Sequence, residues 1–223
     1  MSTTVPTAPL GLVTVTPSDP DYRRLRSTYT TRHAPGIILL PRDDAEVAQA
    51  VKYAAGTDLP VSVRSGGHGL SGRSSNDGGI VIDLSRMNDV EVQDPGTGLV
   101  RVGTGARWAQ VAATLSRHNL AVSSGDYGNV GVGGLATAGG IGWLVREYGL
   151  TVDHVQAATV VLPDGAVVRA DADHEPDLLW AVRGAGSYVG IVTDLEIEAM
   201  HLPGVVVGQV AIEIDPAGTA LRR

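Results

Sequence analysis

The chain has no cysteine and no phenylalanine, and lysine occurs once, at Lys52. Without cysteine there are no disulfides and no thiolate-bound metals. The 17 basic and 24 acidic residues give a formal net charge of −7. A phosphate backbone needs clustered cations, so a nucleic-acid partner is not expected. Aromatic residues make up only 4% of the chain, so the core has to be built from Val, Leu, Ile and Ala. No apolar run approaches the length of a membrane span, and residues 1–11 lack the charged start and apolar centre of a secretory leader. A cytoplasmic protein without a membrane partner is expected. His33, His118, His154, His174 and His201 show no metal-ligand spacing, and no metal is expected.

What the chain has instead is glycine, 29 residues in 223, against an average of roughly 7%. Most of it stands in turns between apolar runs. At 43% hydrophobic, the chain suffices for one core or for two small subdomains sharing a ligand. Residues 1–20 read as an irregular arm and 21–29 as a short helix. Ile37 to Leu40 and Leu59 to Val63 read as strands around a helix capped by Asp43 or Asp44, whose apolar positions have helical spacing. Strands are expected at 79–83, 89–93 and 99–103, an amphipathic helix at 107–118, and a hairpin over 155–170 turned by Pro163-Asp164-Gly165. A short helix over 177–183 and strands at 190–199 and 205–214 complete the pattern.

Three glycine segments carry the functional signal. The first is Arg64-Ser65-Gly66-Gly67-His68-Gly69, at the C-terminal end of a β-α-β strand, where open α/β layers bind ligands. Glycines there let several backbone N–H groups converge on one anion, such as a diphosphate, with His68 beside it. A tight turn with a surface histidine explains the same residues equally well. The second segment runs from Ser124 to Gly142, with Val130, Val132, Leu135 and Ile141 interleaved among its glycines. It lets backbone lie close against a flat ligand. The third, Gly184 to Thr193, leads into a strand. Gly131-x-Gly133-x-x-Ala136 also fits a dinucleotide-binding fingerprint. The approach through Ser123 to Gly128 is a poor strand, however, and a following helix would contain Gly139, Gly140 and Gly142.

Taken together, Val63-Arg64-Ser65-Gly66-Gly67-His68, Val130-Gly131-Val132-Gly133-Gly134, Arg146 to Asp153, and Gly190-Ile191-Val192-Thr193 resemble flavoproteins of the vanillyl-alcohol oxidase type, in the berberine-bridge-like branch. The resemblance covers residues from about 35 to 200. It implies an α+β fold: a PCMH-type FAD-binding domain of two subdomains with the cofactor between them. It divides the chain into an arm and short helix (1–34), the FAD-binding domain (35–203, subdomains about 35–105 and 106–203), and the first strand of a substrate domain (204–223).

By the same resemblance His68 is bonded to the 8α carbon of FAD, and residues Arg64, Ser65, Gly66, Gly67 and Gly69 hold the diphosphate. Gly131, Gly133, Gly134 and Thr137 line a second wall, with Gly125, Tyr127, Val130 and Gly142 in the same loop. Ile191 or Val192 approaches the adenine. Some family members carry a second, cysteinyl link at the position of Tyr127; with no cysteine, a single histidyl link is implied. Val132 falls where the family controls oxygen access, and its small size points to an oxidase. The implied activity is removal of a hydride from a C–H bond next to O or N of a small organic substrate, with electrons passed to O₂. No catalytic base is assigned. A missing C-terminal half or a partner chain is expected to complete the substrate pocket. The alternatives are a flavin-binding module without turnover of its own and a nicotinamide-dependent reductase.

Overall fold

The computed structural model describes residues 11–213, 216–219 and 222. Among the described residues, two main sheets and a short two-stranded one are surrounded by helices. The first sheet contains β1 (Thr14–Val15), β2 (Ile37–Leu39), β3 (Val61–Arg64) and β4 (Ile80–Asp83), preceded or linked by α1 (Tyr22–Leu25) and α2 (Asp44–Ala55). Its order is β1-β2-β4-β3. β2 and β3 both run parallel to the central β4, with Val63 opposite Ile82 and Arg64 opposite Asp83. β4 is Ile-Val-Ile-Asp and buried throughout, as expected of a central parallel strand.

The second sheet is antiparallel. It contains β5 (Val90–Asp94) and β6 (Leu99–Gly103). After α3 (Trp108–Leu115), β7 (Leu120–Ala121), α4 (Val132–Ala138) and α5 (Val145–Tyr148) come its further strands β8 (Val155–Val161) and β9 (Val167–Ala170). α6 (Pro176–Val189) then leads to β10 (Ile191–Glu198) and β11 (Met200–His201). The order is β5-β6-β10-β8-β9. Among the described residues β11 pairs only with β7. One face of this sheet, with α3, α4 and α6, forms the larger core around Val100, Val102, Val111, Leu115, Val132, Leu195 and Ile197.

α2 joins the two sheets. Asp43, in extended conformation, accepts the Glu46 N–H at 2.8 Å and starts the helix. Val47, Ala48, Ala50 and Ala54 then pack among Ile37, Ile80 and Ile82 of the first sheet and Val161 and Ile191 of the second. Small side chains let the helix lie close to both.

Several expectations shift. The arm is not irregular throughout: Thr14–Val15 adds an edge strand beside β2, while residues 1–10 lie outside the described residues. The helix expected over 21–29 closes after one turn at Leu25. β5 and β6 belong to the second sheet, so the change of sheet falls between Asp83 and Val90. The glycine-rich region does contain a helix, α4. It stops at Ala138 because Gly139 and Gly140, at φ 139° and 83°, turn the chain away. The expected strand at 205–214 is not formed over 205–213; Ile214 lies outside the described residues. Its valines suit a strand, but a strand needs a neighbour for its backbone groups. Val205, Val206, Val207 and Val210 are exposed instead.

Candidate functional site

β3 ends at Arg64 and delivers the chain into the first glycine turn. Gly67 takes φ 70°, which bends the backbone back over the Arg64 stem. The backbone N–H groups of Ser65, Gly66, Gly67, His68 and Gly69 donate to no protein acceptor among the described residues. A row of donors left without a partner is the signature of an anion cradle.

The second segment closes against this turn. Gly131 lies so near Gly66 that a Cβ on either would come within 2.2 Å of the other's backbone nitrogen. Arg107, at the start of α3, fastens the junction: its Nη1 donates to the carbonyls of Gly66 at 2.7 Å and Asn129 at 2.5 Å. Thr104, fully buried, is the hub of all three segments. Its carbonyl accepts the Ser65 hydroxyl at 2.6 Å and the Gly133 N–H at 3.0 Å. Its own hydroxyl donates to the Val192 carbonyl at 2.7 Å. That carbonyl stands at the register shift between Val192 and Asp194 in β10.

His68 is half-buried between two tyrosines. Tyr29 stacks on it with ring centroids 4.5 Å apart and planes 16° apart. Tyr127 is tilted by 54° at 5.7 Å. Burial, and then the nearby Arg107 charge, hold the imidazole below its ordinary pKa. At neutral pH it is uncharged and has a free lone pair, the state a nucleophile requires.

The structure thus brings Ser65, Gly66, Gly67, His68, Gly69, Tyr127, Gly131 and Gly133 together. Gly134 borders open space and Gly142 packs on the Ser124 carbonyl, while Gly125 lies against Leu135. Other expected residues sit differently. Arg64 points into the protein, where its Nε meets Asp83 Oδ2 at 2.7 Å with both side chains about 5% exposed. It holds the β3–β4 strand ends together rather than adding charge to the cradle. Val132 is fully buried in the larger core, and Val130 packs against it. The Thr137 hydroxyl donates to the Gly133 carbonyl, and the side chain fills the space beside Gly186. Ile191 and Val192 are buried in β10. Tyr29, Thr104 and Arg107 were not among the expected site residues. Arg107 has a visible signal, a lone cation opening an apolar helix; the others have none, because they meet the site across long sequence separations.

The comparisons with known proteins agree with this geometry. A family model described as "FAD binding domain" matches residues 35–171. The (R)-6-hydroxynicotine oxidase of Paenarthrobacter nicotinovorans is 38% identical over 189 residues, covering 84% of this chain and 41% of that protein. Two solved structures superpose closely. A BBE-like protein of Physcomitrella patens has TM-score 0.81 and 30% identity over 85% of this chain and 42% of its own. Glucooligosaccharide oxidase from Acremonium strictum, whose FAD is described as 6-S-cysteinyl and 8α-N1-histidyl, has TM-score 0.79 and 28% identity over 85% and 41%. The fold is that of a two-subdomain, PCMH-type FAD-binding domain. The chain belongs to the FAD-binding-domain family of the FAD-linked oxidoreductases, and spans 30–41% of the length of the curated relatives it matches.

Proposed function

We propose that this domain carries FAD covalently on His68 and serves an oxidase. The observation that carries the reading is the row of N–H groups from Ser65 to Gly69, free among the described residues, that runs through His68. The free donors, with the Arg107 cation beside them, fit a diphosphate; Gly66 and Gly131 keep the junction of the two loops free of side chains. The bound flavin supplies hydride acceptance and electron transfer to O₂. The protein's own part is to fix the diphosphate through backbone donors, to present an uncharged imidazole, and to hold the two loops in register through Arg107 and Thr104.

Linkage is a net oxidation. The link would join an imidazole nitrogen of His68 to the 8α carbon, and two protons, one from the imidazole and one from that methyl group, would leave with two electrons to reduce O₂ to H₂O₂. With Tyr127 in place of a cysteine and no cysteine elsewhere in the chain, these residues offer no second, cysteinyl link of the kind described for the oligosaccharide oxidase. The proposed substrate is a small organic molecule that loses a hydride from carbon next to O or N, a range the named nicotine and oligosaccharide oxidases both fit.

Acid precipitation of the purified protein tests the reading. Yellow colour should stay in the pellet for the wild type and be lost in His68→Ala. Flavin found only in the supernatant, or none at all, would refute the covalent assignment.

A further inference from the structure

We infer that Tyr29 is the positioning residue of His68: its ring stacks on the imidazole while its backbone N–H grips the turn one residue earlier, at the Gly67 carbonyl, 2.8 Å away. The inference rests on the reading of His68 as the flavin-linking residue. Tyr29 precedes the range matched by the family model, which starts at residue 35.

The segment that presents Tyr29 is itself fixed. Thr28 N–H donates to the Thr31 carbonyl at 2.9 Å, and the two threonine hydroxyls lie 2.6 Å apart. The Thr31 N–H returns to the Thr28 hydroxyl at 3.0 Å. Just upstream, the Arg26 carbonyl accepts the Ser75 hydroxyl at 2.9 Å. Residues 26–31 are therefore a closed turn tied to the loops on both sides of His68, and Tyr29 stands at its tip. An exposed ring, 67% accessible, held this firmly against one side chain does little for the core.

His68 needs such a device. Among the described residues burial and the Arg107 charge act on the His68 ring without a hydrogen bond, and glycines flank it on both sides. No hydrogen bond selects an imidazole rotamer. The stacked Tyr29 ring favours the rotamer that makes the face-on contact, and the Tyr127 ring is only tilted against the imidazole. Holding a nucleophile in one geometry is a recognised source of rate.

The test compares Tyr29→Ala and Tyr29→Phe in the full chain, with two readouts. One is the time course of flavin fluorescence fixed in the denatured protein band after FAD is added to apoprotein. The other is the set of NMR signals that report the His68 rotamer in the apoprotein, the three-bond couplings of its β protons, which the ring current of residue 29 does not alter. Tyr29→Phe, which keeps the ring, should match the wild type in both. Tyr29→Ala should slow incorporation about two- to thirteenfold, the range spanned by an aromatic pair, and change the His68 couplings. Wild-type incorporation and unchanged His68 couplings in Tyr29→Ala would overturn the inference, as would a Tyr29→Phe variant as slow as Tyr29→Ala. If the wild type links no flavin, the reading of function fails, and the NMR arm decides the role of Tyr29 alone. There, a change of couplings in Tyr29→Ala that Tyr29→Phe restores supports it, and unchanged couplings refute it.

Discussion

Gly66 and Gly131 meet backbone to backbone, each where the other's side chain would be. The closure of the first glycine turn on the second therefore depends on two missing methyl groups. Gly66→Ala or Gly131→Ala should force the loops apart, at an overpacking cost of about 1–3 kcal/mol, with loss of retained flavin. Gly134→Ala is the contrast. A Cβ there meets nothing within 4 Å, and the residue lies inside α4. Its apoprotein should be more stable than wild type, by up to about 1 kcal/mol of helix propensity. Denaturant melts of the apoproteins together with flavin content distinguish the cases; wild-type stability in Gly131→Ala would contradict the close contact.

The Arg64–Asp83 pair should behave as part of the core. Asp83 also accepts the Ser85 N–H at 2.9 Å, so its carboxylate is committed to the strand ends. Arg64→Gln leaves that carboxylate buried without its cation and should destabilise the protein by about 3–5 kcal/mol. The double variant Arg64→Leu with Asp83→Leu should recover most of the loss. If Arg64→Gln kept its stability and lost only flavin, Arg64 would belong to the cofactor cradle after all.

These two cases show what the sequence could and could not reveal. The strands around the first turn were legible because Ile37 to Leu39 and Ile80 to Ile82 are apolar runs, Val61 and Val63 are β-branched, and each stretch starts after a glycine or proline. Helix α4 was not, because its glycines lower helix propensity while packing against Thr104 and α6 makes up for it. Arg64 could be placed at the strand end but not on a face, since its partner is 19 residues away. Thr104 meets Ser65 across 39 residues and Val192 across 88. No local period records such contacts. The exposed Val205 to Val210 stretch shows the reverse: strand-forming residues do not make a strand without a neighbour.

Asp194 should make the protein more stable on the acid side. It accepts Arg101 Nε at 3.0 Å, yet burial outweighs that bond and pushes its pKa up to about 6 from 3.8. Below about pH 3.8 the folded and unfolded chains both hold the proton, and the residue has no effect. Between there and pH 6 the unfolded chain gives it up first, so stability falls as pH rises, and the full penalty is present above pH 6. With Arg101 half-exposed and screened by solvent, about 1–2 kcal/mol is the expected size. Asp194→Asn, which keeps an oxygen for Arg101, should be more stable than wild type at pH 7.5 and equal to it near pH 4. Melts across that range that show a constant difference would refute the assignment.

Flavin incorporation should follow the charge on His68. Only the uncharged imidazole has the lone pair that forms the N–C bond, and burial followed by the Arg107 charge holds its pKa below 6.5. The rate should therefore be flat through neutral pH and fall only in acid, with a midpoint below 6.5. Arg107→Gln removes the charge, and its amide can still donate to the Gly66 carbonyl. Its midpoint should move upward while the loops stay joined, which a melt would confirm. Incorporation rates measured as a function of pH in both proteins decide the matter. A wild-type midpoint at or above that of free histidine would mean that the turn does not hold His68 uncharged, and an unmoved midpoint in Arg107→Gln would take the guanidinium out of the argument and leave burial as the sole cause.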